Sequence, residues 1–429
     1  SDALVENSSI WLGNDPSGTT NSASYNVAVG TNAYAAATSG NDNVAIGYGA
    51  LAAGDTVSSS IAIGRDALLA SNGGDYHNIA IGHGALTAGT SITSNVAIGG
   101  WAATNINSGD NVAIGGMALY TCVSGNENVA VGSAAGEKIT SAGNVMVGWN
   151  AGEENTSGTH NTAVGYMAMS TGVTTGSNNV AVGRNALNSL TNGPGNVAIG
   201  YNALASNTTG DVMVAIGEGA LQSVNTYDGA VAIGYYAGQD LTTGRETVSI
   251  GRGAAEQATS AEYFVAIGGY AMGVGITTGD YNICIGYYAG RDITSGANNI
   301  IIGKDAGRTG SPGGNVTTGD NEIYLGDENI TAANIQADWT VASDKRDKTD
   351  ISPMGLGLEF INQLEPVTYR WDKRSKYNKD QSAIPDGTHK EEQLEGGFLA
   401  QDVEAIEEQY GHKLSDNTNL TFHLSEDEK

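Results

Sequence analysis

Few side chains in this sequence are grouped as catalysis or metal binding would require, and those that are grouped sit at fixed places in a repeat. Aromatic residues gather just after a recurring glycine, at Tyr48, Trp101, Trp149, Tyr166, Tyr201, Tyr235, Tyr236, Tyr270, Tyr287 and Tyr288. An aromatic face offers a flat apolar surface that suits a sugar ring. A glycan-contacting strip with Tyr235, Tyr236, Tyr287 and Tyr288 as its candidates is therefore one reading, and packing between coils or chains is the other. The six histidines are scattered without metal-ligand spacing, so no metal site is expected. The paired carboxylates Glu153-Glu154 fall in a turn, with nothing to mark them as a glycosidase acid and base. Glycine-rich runs lack the strand–loop–helix setting of a phosphate loop, and no cofactor is expected.

The elements that position these residues follow from one unit, Val-Ala-Ile-Gly, repeated along most of the chain. Its glycines fall at 13, 30, 47, 64, 82, 99, 115, 132, 148, 165, 183, 200, 217, 234, 251, 268, 286 and 303, in steps of 16 to 18 residues. An alanine stands three residues after the glycine without a miss from Ala33 to Ala306. So strict a period means one supersecondary unit stacked many times, each coil completing its neighbour's core. In Asn111-Val112-Ala113-Ile114-Gly115, Val112 and Ile114 share one face of a strand and Ala113 points to the other. Gly115 permits a bend or a close backbone approach. The asparagine four residues before the glycine, as at Asn111, Asn128 and Asn144, either forms an axial amide ladder or bonds to its own turn.

Seventeen residues make a thin coil. Two inward β-branched residues per coil, at roughly 1.5–3 kcal/mol each, barely offset the ordering of the rest. The expectation is therefore a homotrimer around one axis, with the alanines near the threefold. At about 4.8 Å per coil the repeats make a shaft on the order of 80–90 Å long. The expected fold is mainly β: a trimeric parallel β-roll or β-solenoid of ~17-residue repeats, then a small α+β C-terminal domain. The boundaries are a lead-in over 1–16, the repeat shaft over 17–326, a linker over 327–342 and the C-terminal domain over 343–429.

Composition excludes several classes of function. Before Ser343 there are 56 of the 62 glycines, with no three-residue collagen period. Acidic residues outnumber basic ones 27 to 8 before Ser343 and 19 to 11 from it onward, so a nucleic-acid groove is not expected. Cys122 and Cys284 are read as free thiols. No apolar run approaches a membrane span, and the opening Ser1-Asp2 carries no basic-then-apolar leader, so neither membrane insertion nor an export signal is expected.

The stretch from Ile10 to Gly303 resembles the head repeat of trimeric bacterial adhesins of the YadA type, which share the Asn/Ser-Val-Ala-Ile-Gly core and form a left-handed parallel β-roll trimer. The spacing of 17 is longer than theirs, and their coiled-coil stalk and anchoring barrel are not seen in the sequence. After the last coil, Ser352-Pro353 suits the start of a helix reaching about Leu364. Pro366 to Trp371 reads as a strand, Gly397 to Ala400 as a second, and Gln401 to Glu408 as a helix.

Three ordered motifs lie in this region: Ser343-Asp344-Lys345-Arg346-Asp347-Lys348, Leu364-Glu365-Pro366-Val367-Thr368-Tyr369-Arg370-Trp371, and Gly397 to Glu404. Together they resemble the intramolecular chaperone domain at the C-terminus of phage endosialidases, tail fibres and neck appendages. The resemblance implies a domain that assembles the trimer and then releases itself, with Ser343 as nucleophile, Lys348 as base and Ala342–Ser343 as the scissile bond. It implies a virion appendage, a tail fibre or tailspike for host attachment. Its partners would be itself as homotrimer, other virion tail proteins and a host surface glycan or protein receptor. The chaperone part would be lost or retained after assembly in the host cytoplasm. A bacterial YadA-like surface adhesin and a polysaccharide-degrading tailspike are the alternatives.

Overall fold

The computed structural model describes residues 3–13, 22–71, 74–90, 92–273, 277–332, 358–372 and 384–410. The chain divides into two units, Ser1–Ala333 and Asn334–Lys429. In the first, each Val-Ala-Ile unit is a three-residue strand, from Val27–Val29 to Ile300–Ile302, and each pairs in parallel with the strands before and after it. Register is strict: Val112 faces Val129, Ala113 faces Ala130 and Ile114 faces Val131. Like side chains therefore line up in files along the shaft, as the period predicts. The first parallel strand, Ser9–Leu12, is covered by the antiparallel Ala3–Glu6, so a hairpin closes that edge of the sheet. At the other end Ile323–Leu325 is the last parallel strand, after a longer coil.

Two constraints close each coil. Gly115 has φ +136°, and a Cβ built on it would stand 2.3 Å from the carbonyl oxygen of Gly132. Both the left-handed backbone and the close approach of successive coils require glycine there. The return segment turns through left-handed residues at Met117 (φ 60°) and Leu119 (φ 53°). Such conformations cost roughly 1–2 kcal/mol per residue. Burial of the Leu119 side chain, fully enclosed in the coil, offsets a cost of that size.

The expected facing of the strand is corrected by the structure. Ala113, Ala118 and Leu119 are wholly buried inside the protomer, whereas Val112 is half-buried and Ile114 is 37% exposed. The alanines thus fill the single chain's own interior, and the β-branched pair faces out. Interior width is the physical reason. Where the strand carries Met146 in place of alanine, the corner residue is Gly152, and a Cβ there would meet Met146 Sδ at 2.2 Å. Cys284 is matched in the same way by Gly290, with 2.6 Å from that Cβ to Sγ. Strand and corner share one small volume, and two large side chains do not fit in it.

Both readings of the asparagines occur together: Asn111 Nδ2 donates to Asn95 Oδ1 of the adjacent coil at 3.2 Å and to the Gly109 carbonyl of its own turn at 2.8 Å. Asn128 Nδ2 donates to Asn111 Oδ1 (3.2 Å) and to the Ser141 carbonyl (2.9 Å). Its Oδ1 accepts the Asn144 backbone N–H at 2.9 Å. The file lapses at Met213, Ala230, Thr247 and Phe264, then resumes at Asn282 and Asn299. In that gap the hydroxyls of Tyr227, Thr247 and Ser249 are buried without a hydrogen-bond partner.

In the second unit, a short helix Leu358–Ile361 precedes Val367–Tyr369, which pairs antiparallel with Glu395–Gly397. The second strand is thus earlier than the expected Gly397 to Ala400. Thr368 opposes Gly396, and Trp371 Nε1 donates to Glu395 Oε2 at 3.1 Å, which fixes that register. The helix Ala400–Gln409 agrees with the expected one to within a residue at each end. The proposed helix start at Ser352-Pro353 lies outside the described residues.

Replacing Asn128 with alanine removes the acceptor of the Asn144 backbone N–H and the side-chain donor to the Ser141 carbonyl, while Asn111 Oδ1 keeps the Asn128 backbone N–H. At about 1–3 kcal/mol per orphaned group, the chemical-denaturation midpoint should fall clearly. Asn126→Ala, on an exposed side chain, should change stability by no more than about 0.5 kcal/mol. Equal effects from the two variants would remove the ladder from the account.

Candidate functional site

The chemistry-bearing side chains of the shaft lie along the outer end of the strand, and the strand itself presents an apolar ribbon. Val and Ile of every unit are half-buried or exposed, and Ile46, Ile199, Ile233 and Ile302 are among the exposed ones. Because the strands are in register, these side chains form two continuous files down the shaft. Beside them runs the file of residues that follow the glycine, all pointing outward.

Along that file the aromatic rings stack on the next coil or take a guanidinium between them. Trp149 and Tyr166 stack with centroids 4.9 Å apart and planes 18° apart. Arg184 lies over Tyr166 at 5.4 Å and over Tyr201 at 5.7 Å. Arg252 lies over Tyr235 at 5.7 Å and over Tyr270 at 5.6 Å. Such contacts are worth about 0.5–1 kcal/mol at exposed sites. The candidate glycan residues form two pairs, Tyr235–Tyr236 at 4.1 Å and Tyr287–Tyr288 at 4.0 Å. The hydrogen bond to Tyr235 pushes the Tyr236 phenol above its usual pKa, so Tyr236 stays a neutral donor near neutral pH. Arg291 and Arg308 both lie over the Tyr288 ring.

Sequence reasoning picked out the aromatics but passed over Arg65, Arg184 and Arg252, which occupy the same slot after the glycine. Reading that one position down every repeat is the signal that finds them. Elsewhere, Glu154 pairs with Lys138, so the Glu153-Glu154 pair is a braced turn. Among the described residues there is no group of His, Cys, Asp and Glu placed to hold a metal ion, and no helix long and apolar enough to cross a membrane.

Of the C-terminal motifs, the structure brings two together. The strand of the Pro366–Trp371 motif pairs with the strand that opens the Gly397–Glu404 motif. Phe360 meets Tyr410 edge-on at 5.7 Å, and Gln363 Nε2 donates to the Tyr410 hydroxyl at 2.8 Å. Phe360 and Val403 are buried, yet Leu358, Ile361, Phe398 and Leu399 remain exposed. Ala342, Ser343 and Lys348 lie outside the described residues.

Residues 343–412 match the family model described as chaperone of endosialidase. No match is found among curated proteins. The match begins at Ser343 and covers all three C-terminal motifs. A parallel β-solenoid of ~17-residue repeats followed by such a segment fits a protein of the tail-fibre or endosialidase type.

Cys122 and Cys284 are the other potential nucleophiles, and both are buried inside coils. Burial pushes the Cys122 thiol up to about 11, against a weak hydrogen bond to the Gly125 carbonyl, and the Cys284 thiol up to about 12. Only the thiolate reacts, so native protein at pH 8 should take up no maleimide, and denatured protein should take up two per chain. Native labelling of Cys284 would mean that the coil interior is open.

Proposed function

We propose that this chain is the shaft and assembly domain of a homotrimeric virion appendage, a tail fibre or tailspike that serves host attachment. The observation that carries the proposal is the Val/Ile ribbon. Single soluble chains rarely expose contiguous apolar patches beyond a few hundred Å². Here two files of β-branched side chains run the full length of a shaft on the order of 80–90 Å. Three parallel copies with their ribbons turned to a common axis bury all of it. The same packing adds a second apolar interior to the narrow one inside each coil.

A chaperone-like segment at the C-terminal end suits such a shaft. Coils that differ little can stack with a neighbouring chain in a shifted register, since a slip by one unit costs little locally. A domain with its own unique contacts sets the register before the coils close together. Exposed Leu358, Ile361, Phe398 and Leu399 give that domain apolar surface to offer to other copies.

Release follows from the residues matched at its start. Ser343 Oγ adds to the Ala342 carbonyl, Lys348 takes the hydroxyl proton, and the bond to the Ser343 nitrogen breaks as that nitrogen gains a proton. Water then hydrolyses the ester left behind. Lys348 can act as base only when desolvation or neighbouring cations such as Lys345 and Arg346 lower its proton affinity. Burial on assembly supplies that desolvation, so cutting reports a completed trimer. Other virion tail proteins and a host surface glycan or protein receptor complete the set of proposed partners.

Intact mass under denaturing conditions tests the reaction. Wild-type chains should break after Ala342, and Ser343→Ala chains should stay whole. An uncut wild type that nevertheless assembles would remove the cleavage and leave the assembly role in place.

A further inference from the structure

Two outward files flank the ribbon, and in a subset of coils their sequences are matched to each other. One is the residue after the glycine. The other is the residue five before it, where the chain enters the strand in a left-handed conformation, as at His160 (φ 55°), Glu246 (φ 47°) and Tyr263 (φ 55°). Within a chain the two positions of one coil lie at opposite ends of the strand, roughly 15–20 Å apart, with Val and Ile between them. They do not touch, so nothing inside one protomer couples them.

In those coils their sizes or charges are nevertheless complementary. Where the entry residue is Gly143, Gly195 or Gly229, the exit residue is Trp149, Tyr201 or Tyr235. The sense reverses with Tyr263 at entry and Gly269 at exit, while His160 with Tyr166 and Tyr281 with Tyr287 place rings at both positions. Glu246 at entry is matched by Arg252 at exit, and neither makes an ion pair among the described residues. The left-handed backbone accounts for glycine at entry, but not for the bulky partner at the far end of the same strand.

We infer that the exit file of one chain packs against the entry file of a second copy of this chain at the same height along the shaft. The inference rests on the trimer proposed above and adds its contact code. Rotation about a threefold axis places the end of each strand beside the start of its neighbour's, with no shift along the axis. Trp149, Tyr201 and Tyr235 then enter the spaces left by Gly143, Gly195 and Gly229 of the adjacent copy, and Glu246 meets Arg252 across the joint. Tyr235 is thereby covered by protein, and sugar contact is not its role. A slip of one unit sets Trp149, Tyr201 and Tyr235 against His160, Val212 and Glu246 instead of glycines, which opposes a shifted register between chains.

Cysteine pairing in the full-length chain tests this. Glu246→Cys combined with Arg252→Cys should give a covalent trimer on non-reducing gels, because disulfides need Cα atoms within about 7 Å. Glu246→Cys combined with Tyr201→Cys, three coils apart or about 14 Å along the axis, should give less than a tenth as much. No covalent species in a double variant that scatters light as a trimer would overturn the contact code alone. A monomeric double variant, alongside a monomeric wild type, would overturn the trimer and the code with it.

Discussion

The width of one coil governs the rest of this structure. About seventeen residues must leave the sheet, turn and return one strand spacing higher, and the space they enclose holds two alanines and one or two larger side chains, as with Ala181, Ala186, Leu187 and Leu190. The matched exchanges at Met146 with Gly152 and Cys284 with Gly290 show how tightly that volume is fixed. Alanine therefore belongs inside and the β-branched residues outside, an inversion of the usual placement in a half-buried strand. An apolar ribbon on the outer face is the unavoidable result.

Polar groups are handled by the same stacking. Successive coils approach so closely that backbone amides of one bond to carbonyls of the next, as from Val112 N–H to the Asn128 carbonyl at 2.8 Å. The asparagine amides satisfy the turn carbonyls and the neighbouring N–H groups in one file, leaving little of the coil's polar backbone unpaired. Where that file lapses, Met213, Ala230, Thr247 and Phe264 take its place and a few buried hydroxyls go without partners. Those coils are chemically distinct from the rest, which makes the shaft less uniform than its period suggests.

Much of this was legible in the sequence. The glycine spacing gave the parallel coils, the strand positions and the in-register files. The motifs around Pro366–Trp371 and Gly397–Glu404 marked the C-terminal unit, though the second strand proved to start at Glu395. What alternation alone could not give was the side of the strand that faces in. Val112-Ala113-Ile114 has two faces, and only the cross-section of the closed coil decides between them. The arginine file was missed for a simpler reason: Arg65, Arg184 and Arg252 are conspicuous only when one slot is followed through all repeats.

The central claim is that the outward ribbon is covered by two further copies of the same chain. Sedimentation equilibrium of the wild-type protein at micromolar concentration tests it most directly, read against the 43.8 kDa mass of one chain. The account predicts particles of three chains, with or without the segment beyond Ala342, and no dissociation on dilution. A folded particle containing a single chain would contradict it.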